Sequence, residues 1–171
     1  MRTTWKPFSN KTKLTFLLSL IFLFLFSGSS VVFGDDFQDA LDAGDRGDFK
    51  TAHRLWLSLA EQGDAASQFN LGAMYAKGQG VPQDYKEAVK WYRLSAEQGY
   101  LLAQIDLGVM YEKGQGVPQD YVSAHMWFNL CGSSELIRPG CVNKRNIVEK
   151  KMTPQQIEKA QEMAINWKPK K

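Results

Sequence analysis

Cysteine and histidine are the side chains in this sequence whose types could support redox chemistry or metal binding. The chain has two of each: Cys131 and Cys141, and His53 and His125. The spacing of the cysteines fits neither a C-x-x-C redox motif nor a zinc-ligand pattern. Because paired cysteines in an exported chain are typical of a disulfide, we predict a structural bridge, with redox or metal chemistry as the alternative.

The histidines and the known catalytic motifs give no indication of an enzyme. His53 and His125 are 72 residues apart, which is two periods of the repeat described below, so they lie too far apart to share an ion. We expect both to be partly exposed helix residues. The sequence has neither G-x-S-x-G nor H-E-x-x-H. We therefore predict no catalytic residue, no metal and no cofactor.

The first 34 residues have the order of a secretory signal. An apolar run over residues 14–26 follows a basic segment without acidic residues. The run has the length of a signal core and is short for a membrane span, which needs about 20 apolar residues. We predict cleavage after Gly34, with an uncleaved anchor that extends through Val31, Val32 and Phe33 as the alternative. In both cases the rest of the chain leaves the cytoplasm.

Charge is distributed unevenly along the rest of the chain, whose length suits a single domain. Residues 35–137 have 8 basic and 15 acidic side chains, whereas residues 138–171 have 9 basic and 3 acidic ones. The basic end is either a solvated tail or a patch that meets an acidic partner or lipid headgroups. No aromatic–basic motif accompanies it, so we do not expect nucleic acid as a partner.

The strongest signal in the sequence is an internal repeat. Residues 68–85 read QFNLGAMYAKGQGVPQDY and residues 104–121 read QIDLGVMYEKGQGVPQDY, which are identical at 14 of 18 positions. Such agreement at a fixed offset indicates one structural unit stacked about three times. We predict a degenerate first unit over 35–63, repeats over 64–99 and 100–135, and a closing segment over 136–171.

Each unit has the pattern of a helix pair. Residues 65–77 have apolar and small side chains at helical spacing, and a second helix is predicted to begin at Asp84. Glu87, three residues later, would complete a capping box. The loop between the helices contains Gly78 and Gly80, which permit positive φ and end the first helix.

Glycine inside the first helix of each repeat needs a packing reason, because it costs about 1 kcal/mol relative to alanine. Gly72 recurs as Gly108, and we predict a close approach of a neighbouring helix backbone at Ala88 and Ala124. The aromatic residues of the second helices are predicted to pack in the core: Trp91, Tyr92, Trp127 and Phe128.

The motif L-G-x-M-Y-x-K-G-x-G-V-x-x-D-Y-x-x-A-x-x-W, at a period of 36, resembles the Sel-one-like repeat, a relative of the tetratricopeptide repeat. The resemblance covers residues 48–130 well and 37–48 loosely. It implies an all-α fold, a right-handed α–α superhelix of about three helix pairs plus C-terminal capping helices. It also implies an adaptor role in protein complexes.

The closing segment departs from the repeat and has its own helix signals. Thr153 is a predicted N-cap with Pro154 at the first helical position and Gln156 completing a capping box. An apolar stripe follows, formed by Ile157, Ala160, Ala164 and Trp167. We predict a cap that covers the exposed face of the last repeat, as a solenoid requires.

Taken together, these features predict an exported scaffold for an unidentified protein partner, without catalysis and without stable membrane insertion once the leader is cleaved. We place it in the periplasm or among secreted proteins, or anchored at the inner membrane as the alternative. A ligand-binding protein or hydrolase acting on β-lactam or peptidoglycan is the competing function, suggested by exported relatives whose repeats carry cysteine pairs that are lacking here. Candidate contacts in the groove of the first helices are Asn70, Lys77, Asp106 and Lys113.

Overall fold

The computed structural model describes residues 32–133 and 138–170, which form eight α-helices and no strands. The helices are α1 (Val32–Asp45), α2 (Phe49–Glu61), α3 (Ala65–Lys77), α4 (Tyr85–Glu97), α5 (Leu101–Lys113), α6 (Tyr121–Cys131), α7 (Arg138–Glu149) and α8 (Pro154–Asn166). Each helix from α1 to α6 packs against the next one, and α8 packs on α6. The predicted all-α solenoid is confirmed. None of the helices in these two ranges is long and apolar enough to cross a membrane.

The leader predicted over residues 1–34 lies outside the described residues except for its last three positions, which begin α1.

Aspartate side chains cap α2, α3, α4 and α6, whereas α5 begins after Tyr100 without a side-chain cap. The Asp84 carboxylate accepts the backbone N–H groups of Lys86 and Glu87, at 2.8 and 3.1 Å, which confirms the predicted start of α4. The predicted capping box is wrong, however. The Asp84 backbone N–H donates to the Tyr75 carbonyl at 3.0 Å, so it is not available to Glu87, whose carboxylate instead accepts from Lys90 at 3.2 Å.

The glycines of the connecting loop have separate tasks. Gly78 ends α3 in the left-handed conformation, with φ of 68°. Gly80 also has positive φ, and a Cβ atom there would lie 2.5 Å from the carbonyl oxygen of Phe49 at the start of α2. The second glycine therefore lets the loop of one pair pack on the pair before it.

Gly72 and Gly108 make room for aromatic rings. A Cβ atom on Gly72 would lie 2.7 Å from the Tyr92 ring, and one on Gly108 would lie 2.6 Å from the Phe128 ring. The predicted backbone approach at Ala88 and Ala124 is wrong, because a flat ring from the second helix of the same pair occupies that space. The predicted burial of the four aromatic residues is confirmed.

Glutamine side chains join successive pairs. Gln68 donates to the Ala60 carbonyl at 3.1 Å and accepts from Gln98 Nε2 at 2.8 Å. Gln104 makes the equivalent bond to Ala96 at 3.3 Å, but its Oε1 is buried with no partner among the described residues. The residue one repeat after Gln98 in the sequence is Ser134, so the repeat has no glutamine at this position in the third pair.

The two closing helices both pack on α6. The Thr153 capping box at the start of α8 is confirmed, and Ala160 is buried. After α8 the Trp167 ring packs edge-on against Trp127, with centroids 6.3 Å apart. The Lys170 backbone N–H then reaches the Glu97 carbonyl at 2.7 Å, at the end of α4. Thus α7 continues the stack, whereas α8 and the tail fold back over it.

Candidate functional site

The two cysteines form a disulfide between the end of α6 and the start of α7. The Cα atoms of Cys131 and Cys141 are 5.9 Å apart, and both residues are at most 1% exposed. The bridge ties the first closing helix to the last repeat. Because the sulfur atoms are shielded from solvent, this position suits a structural link and offers little access for thiol exchange.

The two histidines occupy equivalent repeat positions but different environments. His53 Nε2 lies 3.4 Å from the Tyr75 hydroxyl, and burial lowers the pKa of His53. His125 is fully buried, with Nε2 2.7 Å from a Glu149 carboxylate oxygen. The prediction of partial exposure is therefore wrong for His125, because α7 covers it. No cluster of three metal-ligating side chains occurs in the described ranges.

Polar side-chain contacts join α6 and α7 in addition to the disulfide. Next to the contact between His125 and Glu149, Arg145 donates to the Asn129 side-chain oxygen at 3.3 Å and approaches Glu149 at 3.5 Å. These contacts pair residues of the two helices in antiparallel order. They hold α7 in place and leave the histidine without access to solvent, so this cluster has the geometry of a structural contact.

An open recess lies between the first helices of the first two pairs, α1 and α3. Its volume is about 250 Å³, and it includes both Asn70 and Lys77 among its lining residues. Its lining combines apolar side chains, among them Trp56 and Met74, with polar ones that include Asp45. Recesses that hold drug-sized ligands usually exceed about 300 Å³. This one is better suited to a single side chain of a bound segment.

Asp106, one repeat after Asn70, lies on α5 beside the Tyr92 hydroxyl. Burial raises the pKa of the Asp106 carboxyl, and the Tyr92 hydroxyl together with the positive charges of Lys77 and Lys144 opposes that rise. Burial and the neighbouring Asp106 carboxyl in turn raise the pKa of the Tyr92 phenol. Lys77, another of the sequence candidates, is thus among the positive charges that lower the pKa of the Asp106 carboxyl.

The other sequence candidates have different positions. Asn70 borders the recess beside Lys77, whereas Lys113 is exposed at the end of α5 and does not line the recess. Lys144 and Trp56 were missed. Trp56 has a sequence signal, since it lies one period before Tyr92. Lys144 has none, because its place near Asp106 depends on how α7 docks on α6.

The recess and the Asp106 group both belong to one surface. We call the exposed side of α1, α3 and α5 the first-helix face, since these are the first helices of the three pairs. In stacked helical repeats such a face forms an extended binding surface.

Comparison with known proteins agrees with this architecture. The protein c5321 of uropathogenic Escherichia coli, described as a protective antigen with an SLR fold, is 37% identical with a TM-score of 0.66 over 69% of this chain and 25% of its own. A Sel1 repeat protein from Oxalobacter formigenes is 26% identical with a TM-score of 0.61 over 75% of this chain and 54% of its own. The chain thus covers about a quarter of the length of the first relative and about half of the length of the second.

No curated protein matches the chain significantly. The family model of the Sel1 repeat matches residues 40–64, 65–100 and 101–130. These segments are consecutive, make up more than half of the sequence and correspond to the three helix pairs from α1 to α6. The chain therefore belongs to the Sel1 repeat family.

Proposed function

We propose that this protein is an extracytoplasmic scaffold that binds a protein partner on its first-helix face and performs no catalysis. The observation that carries the proposal is the open recess between α1 and α3, whose lining combines the apolar side chains of Trp56 and Met74 with the polar ones of Asn70 and Lys77. Apolar and polar side chains occur together in the surfaces through which proteins bind one another. Membership of the Sel1 repeat family supports protein binding as the general role.

Two features support a location outside the cytoplasm. The predicted leader over residues 1–34 would direct the chain out of the cytoplasm, with cleavage after Gly34 or retention as an anchor. The disulfide between Cys131 and Cys141 is of a kind that persists in oxidising compartments. The division into units over 35–63, 64–99, 100–135 and 136–171 is part of the same proposal.

The test is affinity capture with matched charge variants. The chain, expressed with its own leader, is used to capture proteins from a fractionated envelope extract, and the captured proteins are identified by mass spectrometry. Lys77→Glu should abolish capture of a reproducible partner, because it reverses the charge at the rim of the recess. Lys159→Glu makes the same change on the exposed side of α8 and should leave capture intact. Equal capture by both variants would contradict binding at the first-helix face.

Hydrolysis is tested separately with the same purified protein. We expect no turnover of β-lactam or peptidoglycan substrates above the buffer rate, because the chain offers no activated nucleophile in a known motif. Sustained turnover that follows the protein through purification would replace the scaffold proposal by the hydrolase alternative.

A further inference from the structure

The last four described residues form an extended segment that lies on the surface of the stack. Trp167 follows α8 with extended backbone angles, φ of −71° and ψ of 140°. Lys168, Pro169 and Lys170 come next without forming a helix or a strand, and all three are exposed. We call residues 167–170 the tail. An extended segment of this kind contacts the surface below it in the manner of a bound peptide.

Three residues of the stack hold the tail. The Trp167 ring packs edge-on against Trp127, with centroids 6.3 Å apart. The same ring lies 3.9 Å from the position that a Cβ atom on Gly99 would take. Lys170 makes two bonds to Glu97, from its backbone N–H to the carbonyl and from its ammonium to the carboxylate, both 2.7 Å long. We call Glu97, Gly99 and Trp127 the tail seat.

The tail seat belongs to the repeats, whereas the tail does not. Its three residues fall within the segments 65–100 and 101–130 that match the family model. Glu97 is the last residue of α4, and the last carbonyl groups of a helix have no partner within that helix. The Glu97 carbonyl can therefore accept an N–H group from outside, while the negative helix end and the Glu97 carboxylate attract a cation. The seat thus has the groups to hold a segment of this chemistry from another chain.

Few contacts keep the tail in place. They come mainly from the half-buried Trp167 ring and from Lys170, whose side chain is 70% exposed. Together these two side chains favour the closed tail over the open one by roughly thirtyfold. Local openings of this cost occur in folded proteins without global unfolding. The seat is therefore uncovered in about 3% of the molecules.

We propose that the tail seat is a second binding site for protein segments and that the chain's own tail closes it. The partner segment has an aromatic side chain followed three residues later by lysine, as the tail has in Trp167 and Lys170. Its ring takes the place on Trp127, and its lysine takes the place on Glu97. The tail seat shares no residue with the recess between α1 and α3, so this site goes beyond the proposed function.

The experiment uses two capped pentapeptides, NWKPK and NAKPK, which copy residues 166–170 with and without the ring. They are added to isotope-labelled full-length protein and followed by NMR chemical shifts. Trp167→Ala removes the ring that closes the seat and keeps the chain at full length. We expect NWKPK to bind this variant roughly thirtyfold more tightly than the wild type, because the tail competes less. The shifts should lie around Glu97, Gly99 and Trp127.

A second variant opens the seat without changing the packed ring. Lys170→Glu places a negative charge beside the Glu97 carboxylate and so repels the exposed end of the tail. NWKPK should bind it about two- to fivefold more tightly than the wild type. Lys168→Ala, an exposed change in the same tail, is the matched control and should bind NWKPK as the wild type does. Glu97→Lys, added to Trp167→Ala, should weaken the binding of NWKPK by roughly tenfold.

Equal affinity of NWKPK for the wild type and both opening variants would overturn the inference, because the tail would then not close the seat. It is also overturned if NAKPK binds as well as NWKPK, if the shifts lie elsewhere, or if neither opening variant binds NWKPK up to about 10 mM. Lys77→Glu should bind NWKPK as the wild type does, so the test of the tail seat and the capture test of the first-helix face can fail independently.

Discussion

At the scale of single residues, Asp106 is a position at which two successive repeats differ in charge. Its counterpart one repeat earlier is Asn70, which has nearly the same shape and no charge. Burial raises the pKa of Asp106 above its ordinary value. The folded protein therefore holds the proton more tightly than the unfolded chain does. The protonated carboxyl therefore adds stability at pH values below the pKa of Asp106 in the unfolded chain. This stability is lost as the pH rises through the pKa of Asp106 in the folded protein.

Asp106→Asn should consequently stabilise the protein at about pH 7 by about 0.5 to 1 kcal/mol, with a gain that shrinks towards pH 4. The measurement is thermal unfolding of both proteins at the two pH values. Asp39→Asn, an exposed change on α1, is the control and should show little effect. A loss of stability at neutral pH would mean that attraction by Lys77 and Lys144 outweighs the cost of burying the charge.

The helical glycines give a second prediction at the residue scale. Gly72→Ala gains about 1 kcal/mol of helix propensity, but its Cβ would lie 2.7 Å from the Tyr92 ring. Overpacking in a core costs about 1 to 3 kcal/mol, so we expect net destabilisation of about 1 kcal/mol, and the same for Gly108→Ala. Gly44→Ala, with no atom within 4 Å of the new Cβ, should instead stabilise in urea unfolding. Stabilisation by all three changes would show that the rings move aside.

At the scale of elements, α7 depends on contacts that the repeat does not provide. The disulfide, the contact between His125 and Glu149, and the bond between Arg145 and Asn129 all join it to α6. Val148 adds a fully buried side chain against Phe128 and Ala124. A helix held at several points along its length is expected to detach as a unit when one of the stronger links is removed.

Replacing both cysteines by serine should lower the free energy of unfolding by about 2 to 3 kcal/mol, because the closed loop restricts the unfolded chain. Hydrogen exchange should show the first loss of protection in α7, with α3 and α4 still protected. The wild-type protein, treated with reductant under native conditions, should keep its protection because the bridge is buried. A uniform loss of protection in all helices would contradict local detachment of α7.

The sequence predicts the regular elements well and the contacts between distant elements poorly. Residues 65–77, the cap at Asp84 and the positive φ of Gly78 depend on local spacing and turn chemistry, and all three are confirmed. The failures involve partners from another helix. The N–H of Asp84 is taken by Tyr75, and His125 is covered by α7. The bond to Tyr75 recurs between Asp120 and Tyr111, so it is a property of the repeat, whereas the partner of His125 has no counterpart in the repeat.

The same limit applies to the candidate site. The period of 36 residues predicts that Asn70 and Asp106 are equivalent positions of successive repeats. The exposure of Lys77 follows from its place at the end of a helix. The group around Asp106 also needs Lys144, whose helix follows the segment where the repeat pattern stops. Lys113 has the same repeat position as Lys77, but it does not line the recess.

At the scale of the whole molecule, the C-terminal tail contacts both the second and the third helix pair. α8 packs on α6, Trp167 contacts Trp127, and the Lys170 ammonium reaches the Glu97 carboxylate at 2.7 Å. Stacked repeats otherwise interact only with adjacent units, so their ends can unfold separately. The tail links the end of α4 to α6 directly, which couples the second and third pairs.

Removing residues 167–171 should therefore weaken the cooperativity of unfolding as well as the stability. We expect a loss of about 2 kcal/mol, chiefly from the half-buried Trp167 ring. Urea unfolding should then become broader, with circular dichroism and the fluorescence of the remaining tryptophans no longer coincident, because the third pair can open while the first two stay folded. Lys168→Ala, an exposed change in the same tail, should leave a single sharp transition. If the truncated protein unfolds with coincident probes and an unchanged denaturant slope, the contacts between neighbouring pairs are sufficient for cooperativity and the tail contributes stability alone.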